Sequence, residues 1–230
     1  MTNTAEPTPR DERHPAHSDD DKDDDGDKAR SEDRDKNRND HEDLRESFPE
    51  RRFAWSDMFV HPDDDPRSQG GCEDEPATLT AYLSDQRRTL EMKCSGLDPE
   101  ALARRSVPPS NMSLLGLVRH MAGVEHAWFR RVLAGQDVPR LYRTENDRDR
   151  DFDGALPDPE VVAEAWETWH GEVAFAERFV REAPDLDVRG TIRGEQVSLR
   201  EVLVHMIEEY ARHNGHADLL RERIDGRVGQ

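Results

Sequence analysis

The residues best suited to chemistry in this 230-residue chain lie in one stretch, EEYARHNGHADLLRE, at 208–222. It reads as an unbroken helix, yet it sets Glu209, His213, Asn214, Gly215 and His216 where a surface helix would carry Lys and Glu pairs. Glu209 and His213 stand four residues apart, about 40° around a helix and one turn in height, so both can reach one ion. His205 shares that stripe but is separated from His213 by roughly 12 Å along the axis. One ion therefore takes 205 with 209 or 209 with 213, and never both imidazoles of this helix. His120, on the apolar segment SLLGLVRHMAGVEHAWF, is the candidate third ligand. Two imidazoles and one carboxylate leave positions open for water or substrate, a coordination count of catalytic rather than structural metal sites. The ligand types suit zinc, and they also suit non-haem iron or nickel.

His216 and Asn214 are the candidate catalytic side chains. His216 follows His213 by three residues and supports a ligand, meets substrate or faces solvent. Gly215 costs up to about 1 kcal/mol against Ala inside a helix, which points to a close neighbour there. His126 lies about 120° around the helix from His120 and should face another surface. His170 follows two tryptophans and reads as a packing or solvent residue.

Four helices must position these groups. From Pro76 onward, apolar residues recur at helical spacing between Pro and Gly punctuation. The first helix spans about 77–95, with Leu79, Leu83, Leu90 and Cys94 on one face. A short acidic-capped segment, DPEALARR, follows. The second is capped by Ser110 or Ser113 and closed by Gly135, with Leu114, Leu117, Met121, Val124 and Trp128 inward. The third starts after Pro157 and Pro159, carries Val162, Trp166, Trp169, Val173 and Phe179, and ends at Pro184. VRGTIRGEQVSL reads as a small hairpin, after which Ser198 caps the fourth helix and Gly226 closes it. The expected architecture is an all-α four-helix bundle. About 22 residues join the second and third helices, enough at roughly 3.3 Å each to return along the bundle, so these two helices should run parallel. The fourth helix is then antiparallel to the second. That sets His120, two turns into its helix, level with His213, two turns from the end of its own, and favours the 209 and 213 pair.

Residues 1–74 have a different character. Up to residue 75 the chain has 25 Asp and Glu against 12 Lys and Arg, a net of −13, so most of the total charge of −19 lies there. Segments such as HSDDDKDDDGDKARSEDRDKNRND have almost nothing apolar to bury and are expected to be a disordered acidic tail, with the domain at 75–230. Its apolar island FAWSDMFV, 53–60, either docks or stays a transient sticky segment. No apolar h-region follows Met1 and no apolar run reaches the ~20 residues of a membrane span, so the expected location is the cytoplasm, without membrane binding. Cys72 and Cys94 have no CxxC partner and read as reduced thiols. Without a basic stripe, nucleic acid is not an expected partner. The expected partners are a small-molecule substrate and, as an open option, a second copy in a homodimer.

SLLGLVRHMAGVEHAWF together with SLREVLVHMIEEYARHNGHADLLRE resembles the DinB-like superfamily over about residues 75–226. The resemblance implies a four-helix bundle with a long second connection and places the family's metal ligands on His120, Glu209 and His213. Many members have His at the position of Glu209. The mycothiol-dependent maleylpyruvate isomerase branch has two His and one Glu, as here. The activity implied is a zinc-dependent S-transferase or isomerase using a low-molecular-weight thiol such as mycothiol or bacillithiol. Metal-assisted hydrolysis and non-enzymatic metal binding in a stress response are the alternatives.

Overall fold

The computed structural model describes residues 59–67, 74–144 and 147–229. Most of the expected acidic tail, residues 1–58 included, lies outside the described residues.

The helices, apart from the four-residue Arg150–Asp153, begin where a side chain satisfies backbone donors that the first turn leaves without partners. Asp74 accepts from the Ala77 amide and starts α1, Glu75–Cys94. Asp98 starts the short α2, Pro99–Ala103. Ser113, not Ser110, caps α3, Leu114–Glu125, through the Gly116 amide. The axis of α3 continues as a π-helical stretch, His126–Leu133, and stops at Gly135, whose φ of 62° needs a residue without Cβ. A connection with one short helix, α4 (Arg150–Asp153), leads to α5, Pro159–Glu182, capped by Asp158. Strands β1, Arg189–Ile192, and β2, Glu195–Ser198, form an antiparallel hairpin with Ile192 opposite Glu195. Arg193 and Gly194 turn it with φ values of 52° and 85°, the backbone of a tight primed turn. Ser198 and Glu201 form a reciprocal capping box on α6, Leu199–Asp225, and Gly226 closes it at φ 77°.

The order of contacts fixes the helix directions. Along α1 and α6, Glu75 meets Arg200 and Gln86 meets Asn214, so the two run parallel. Along α3 and α6, Trp128 meets His205, Glu125 meets Tyr210 and His120 meets His213, so these are antiparallel. Arg119 with Glu164 and Arg130 with Glu172 make α3 and α5 parallel, as the length of their connection implies. Leu90, Leu114, Leu117, Met121, Phe129, Leu203 and Met206 are fully buried among these helices. The α5 face is thinner than its spacing suggests: Ala165, Trp169 and Ala176 are buried, whereas Val162, Trp166 and Val173 are half-buried.

A polar chain crosses this apolar interior. Arg87 of α1 holds Glu125 of α3 through two hydrogen bonds of 2.8 Å. The Tyr210 hydroxyl of α6 donates to Glu125 Oε1 at 2.8 Å, and the Trp169 indole of α5 donates to the Tyr210 oxygen at 2.9 Å. Burial opposes the charge of Arg87, but the adjacent Glu125 carboxylate outweighs it and holds the guanidinium pKa above its ordinary value. Burial, with Glu125 beside it, raises that of Tyr210. One connected network thereby joins all four long helices.

Residues 59–67, which composition groups with the tail, lie against the helices. The Phe59 ring sits 4.3 Å from the Lys93 ammonium and 5.1 Å from the Arg221 guanidinium. Arg67 donates to Thr89 Oγ1, and Arg88 donates to the Pro66 carbonyl at 2.5 Å.

Two outcomes test this packing. Glu125→Leu strands the buried Arg87 charge and should cost about 3–5 kcal/mol in urea denaturation, whereas the Arg87→Met, Glu125→Leu pair should recover most of that loss. Phe59→Ala should remove about 1 kcal/mol of cation–π contact, lowering the melting temperature by roughly 2–4 °C. An unchanged melting temperature would show that the segment contributes nothing.

Candidate metal centre

The antiparallel pairing of α3 and α6 sets the height of the site. His120 lies five residues before Glu125, and His213 three after Tyr210, so both leave the Glu125–Tyr210 contact in one direction, by about 7.5 and 4.5 Å. Their rings meet with centroids 4.7 Å apart. Glu209 joins them, and one ligand atom each from His120, Glu209 and His213 lies within 4.8 Å of the others, a group that could hold a metal ion. Their side chains are 13%, 18% and 12% exposed, reachable from solvent yet mostly surrounded by protein.

The donor set fits a divalent ion because both imidazoles are held ready to ligate. Asp151, 2% exposed on α4, places Oδ2 2.8 Å from His120 Nδ1 and 3.1 Å from Arg143 Nε. Burial works against the Asp151 charge, but the bond to His120 and the Arg143 charge prevail and keep its pKa below the ordinary value. An ionised carboxylate only accepts, so His120 Nδ1 carries the proton and Nε2 is left with the lone pair. Arg143 Nη2 also lies 3.4 Å from Nδ1, at the limit of a hydrogen bond, and the shorter Asp151 contact decides the tautomer. His213 is kept neutral chiefly by burial, with the neighbouring His120 and His216 imidazoles adding, and its pKa falls to about 3. Its Nε2 lies 3.5 Å from Glu209 Oε2, while Nδ1 lies 3.3 Å from His216 Nδ1. Arg212 donates to the other Glu209 oxygen at 3.1 Å.

Asp151 reaches His120 because of a glycine. A Cβ on Gly116 would lie 2.6 Å from Phe152 Cδ1, so only glycine lets α4 press this closely onto α3. Phe152 then stacks on His120 at 5.5 Å between centroids.

Other sequence candidates fall elsewhere. His205 is outside the grouped set; its ring packs on Trp128 at 4.6 Å, and its Nε2 is 3.9 Å from Glu209 Oε1. Asn214 lies in the α1–α6 interface, where its amide donates to the Gln86 carbonyl and side-chain oxygens. No neighbouring helix among the described residues approaches Gly215, since a Cβ there would meet nothing of another element within 4 Å. His126 is outside the grouped set, with Nε2 2.9 Å from the Pro139 carbonyl oxygen. His170 is half exposed beside Glu91. Asp151 escapes sequence reasoning: it sits in the polar run DRDRDFD, 31 residues from His120, with no local pattern to mark it. Glu125 is missed too, being one acid within an apolar helix.

No curated protein and no solved structure matches the chain significantly. A family model described as mycothiol-S-transferase does match, over residues 78–226, a span containing all three grouped ligands and Asp151. That match covers well over half of the chain, which belongs to the mycothiol-S-transferase family.

Proposed function

We propose that the chain is a metal-dependent S-transferase that joins a low-molecular-weight thiol of the mycothiol type to an electrophilic small molecule. The four long helices are read as a DinB-like four-helix bundle with a long connection before α5. The observation that carries the proposal is the His120, Glu209 and His213 group with Asp151 behind His120. His120, Glu209 and His213 would hold a divalent ion, zinc before nickel or iron, which would supply a Lewis acid to lower the pKa of a thiol. In the transfer, the thiol's proton passes to solvent, a carbon–sulfur bond forms, and the electrophile's leaving group departs with the electron pair of the broken bond.

The chain's residues orient and balance this chemistry. Asp151 fixes His120 with Nε2 toward the ion. His216 does the same for His213 by accepting from its Nδ1, so in this reading it positions a ligand. Glu209 offsets one unit of the ion's charge. Asn214 takes no part. The reacting sulfur comes from the cofactor, because Cys94 is buried and burial pushes its thiol pKa up to about 12. Cys72 lies outside the described residues. No helix among the described residues is long and apolar enough to cross a membrane, and a cytoplasmic location completes the proposal.

Metal analysis of purified protein provides the first test. His120→Ala, Glu209→Ala and His213→Ala should each lose stoichiometric zinc, and Asp151→Asn should bind it about 10–100-fold more weakly, while His205→Ala retains it. Zinc retained by His213→Ala but lost by His205→Ala would move the site one turn along α6.

Cobalt substitution reads the thiol directly. Mycothiol added to the cobalt form should produce a thiolate charge-transfer band in the near ultraviolet, unchanged by Cys72→Ser with Cys94→Ser. A cobalt form that ignores mycothiol, bacillithiol and glutathione but hydrolyses an ester unaided would replace transfer by hydrolysis. Neither thiol binding nor turnover would leave a non-enzymatic metal-binding protein.

A further inference from the structure

A cavity of about 450 Å³ opens beside His120 and Asp151, which are among its lining residues. That volume suits a small organic ligand. Five arginines line it: Arg119, Arg131, Arg140, Arg143 and Arg193. Such a concentration runs against the charge of the chain, which is −19 overall.

Two of these arginines have structural partners. Arg119 donates to the Asp151 carbonyl and to Glu164, and Arg143 donates to the Asp151 carboxylate. Arg131, Arg140 and Arg193 pair with no carboxylate among the described residues. Elsewhere, Arg87, Arg105, Arg130, Arg200 and Arg221 each have one. The three come from separate parts of the fold: the π-helical stretch after α3, the connection that follows it, and the turn of the hairpin. Arg193 holds a positive φ of 52° where glycine or asparagine is preferred. Gly190 lets the hairpin reach the cavity wall, since a Cβ there would lie 2.3 Å from the Val132 carbonyl oxygen. Three guanidiniums without acidic partners among the described residues, brought by three elements to one concave surface, have the chemistry to receive an oxyanion.

We propose that this cavity binds a carboxylate or phosphate group of the electrophile, so that the substrates are anionic small molecules anchored by Arg131, Arg140 and Arg193 with their reacting carbon toward His120. The assignment of these anions as substrates rests on the transferase reading; the anion site itself rests on the arginines. Mycothiol-type thiols would enter at the metal, leaving the arginines to the second reactant.

Isothermal titration of the full-length protein, metal-free and zinc-loaded, with inorganic phosphate and separately with succinate tests the site. One or both anions should bind saturably at one site per chain in both forms, and the anion preferred identifies phosphate or carboxylate as the group recognised. Arg131→Gln, Arg140→Gln and Arg193→Gln should each weaken binding about tenfold, and the triple variant should abolish it with zinc stoichiometry intact, whereas Arg105→Gln changes nothing. Absence of saturable binding of either anion, or binding that survives the triple variant, overturns the proposal. The cobalt–thiol band separates the two readings. Arginine-dependent anion binding without that band upholds the anion site while the transferase reading falls, and the band without arginine-dependent binding overturns the site alone.

Discussion

The hydrogen-bonded chain from Arg87 through Glu125 and Tyr210 to Trp169 is the constraint on which the rest depends. Apolar packing alone lets two helices slide by a turn at modest cost, because one leucine substitutes for another in the same groove. A buried carboxylate does not slide. Away from its partners Glu125 would lie charged and without hydrogen bonds in the core, at a cost of several kcal/mol. The network therefore defines the height of α3 against α6 and, through it, whether His120 faces His213 or a neighbouring turn. Its specificity matters more than its net stabilisation, which desolvation largely offsets.

The same logic applies one layer outward. His120 and His213 must both present a lone pair, and they are prepared differently. His120 is directed by an ionised Asp151, while His213 is stripped of its proton by burial beside other imidazoles. Of the two carboxylates beside the imidazole pair, only Glu209 is in direct reach of an ion, and each is itself bonded to an arginine, Asp151 to Arg143 and Glu209 to Arg212. Gly116 is the hinge of this arrangement, because any side chain there would displace Phe152 and with it Asp151.

Much of this was legible from the sequence because local rules suffice for it. Ser198 and one of Ser110 and Ser113 cap helices for reasons contained within four residues, and Gly135 and Gly226 end them likewise. Glu209 and His213 share one helix, and the length of the connection before α5 brought His120 level with them. Asp151, Glu125 and the arginine-lined cavity are nonlocal. Asp151 acts on a residue 31 positions away through a four-residue helix that no periodicity could announce. Gly215 misled because propensity registers the cost of a glycine without saying where its missing side chain would point, and here it points to open space. Residues 59–67 were grouped with the tail by composition, since one phenylalanine held by cations leaves almost no mark on an average.

The division between rigid and variable parts bears on how such a fold can take different substrates. Every candidate metal ligand sits on α3 or α6, the two helices tied by Glu125 and Tyr210, so the ligand set tolerates little movement. Arg140 and Arg193 stand instead on the connection to α5 and the hairpin turn, where backbone varies more readily, while Arg131 projects from the π-helical stretch between buried Phe129 and Leu133. A π-helical turn shifts the side chains beyond it around the axis, turning Arg131 toward the cavity while α3 keeps its packing upstream. In the transferase reading, chemistry is carried by the helices and selection by their connections. A change of substrate in related chains would then be sought first at positions 131, 140 and 193, with the metal ligands unaltered.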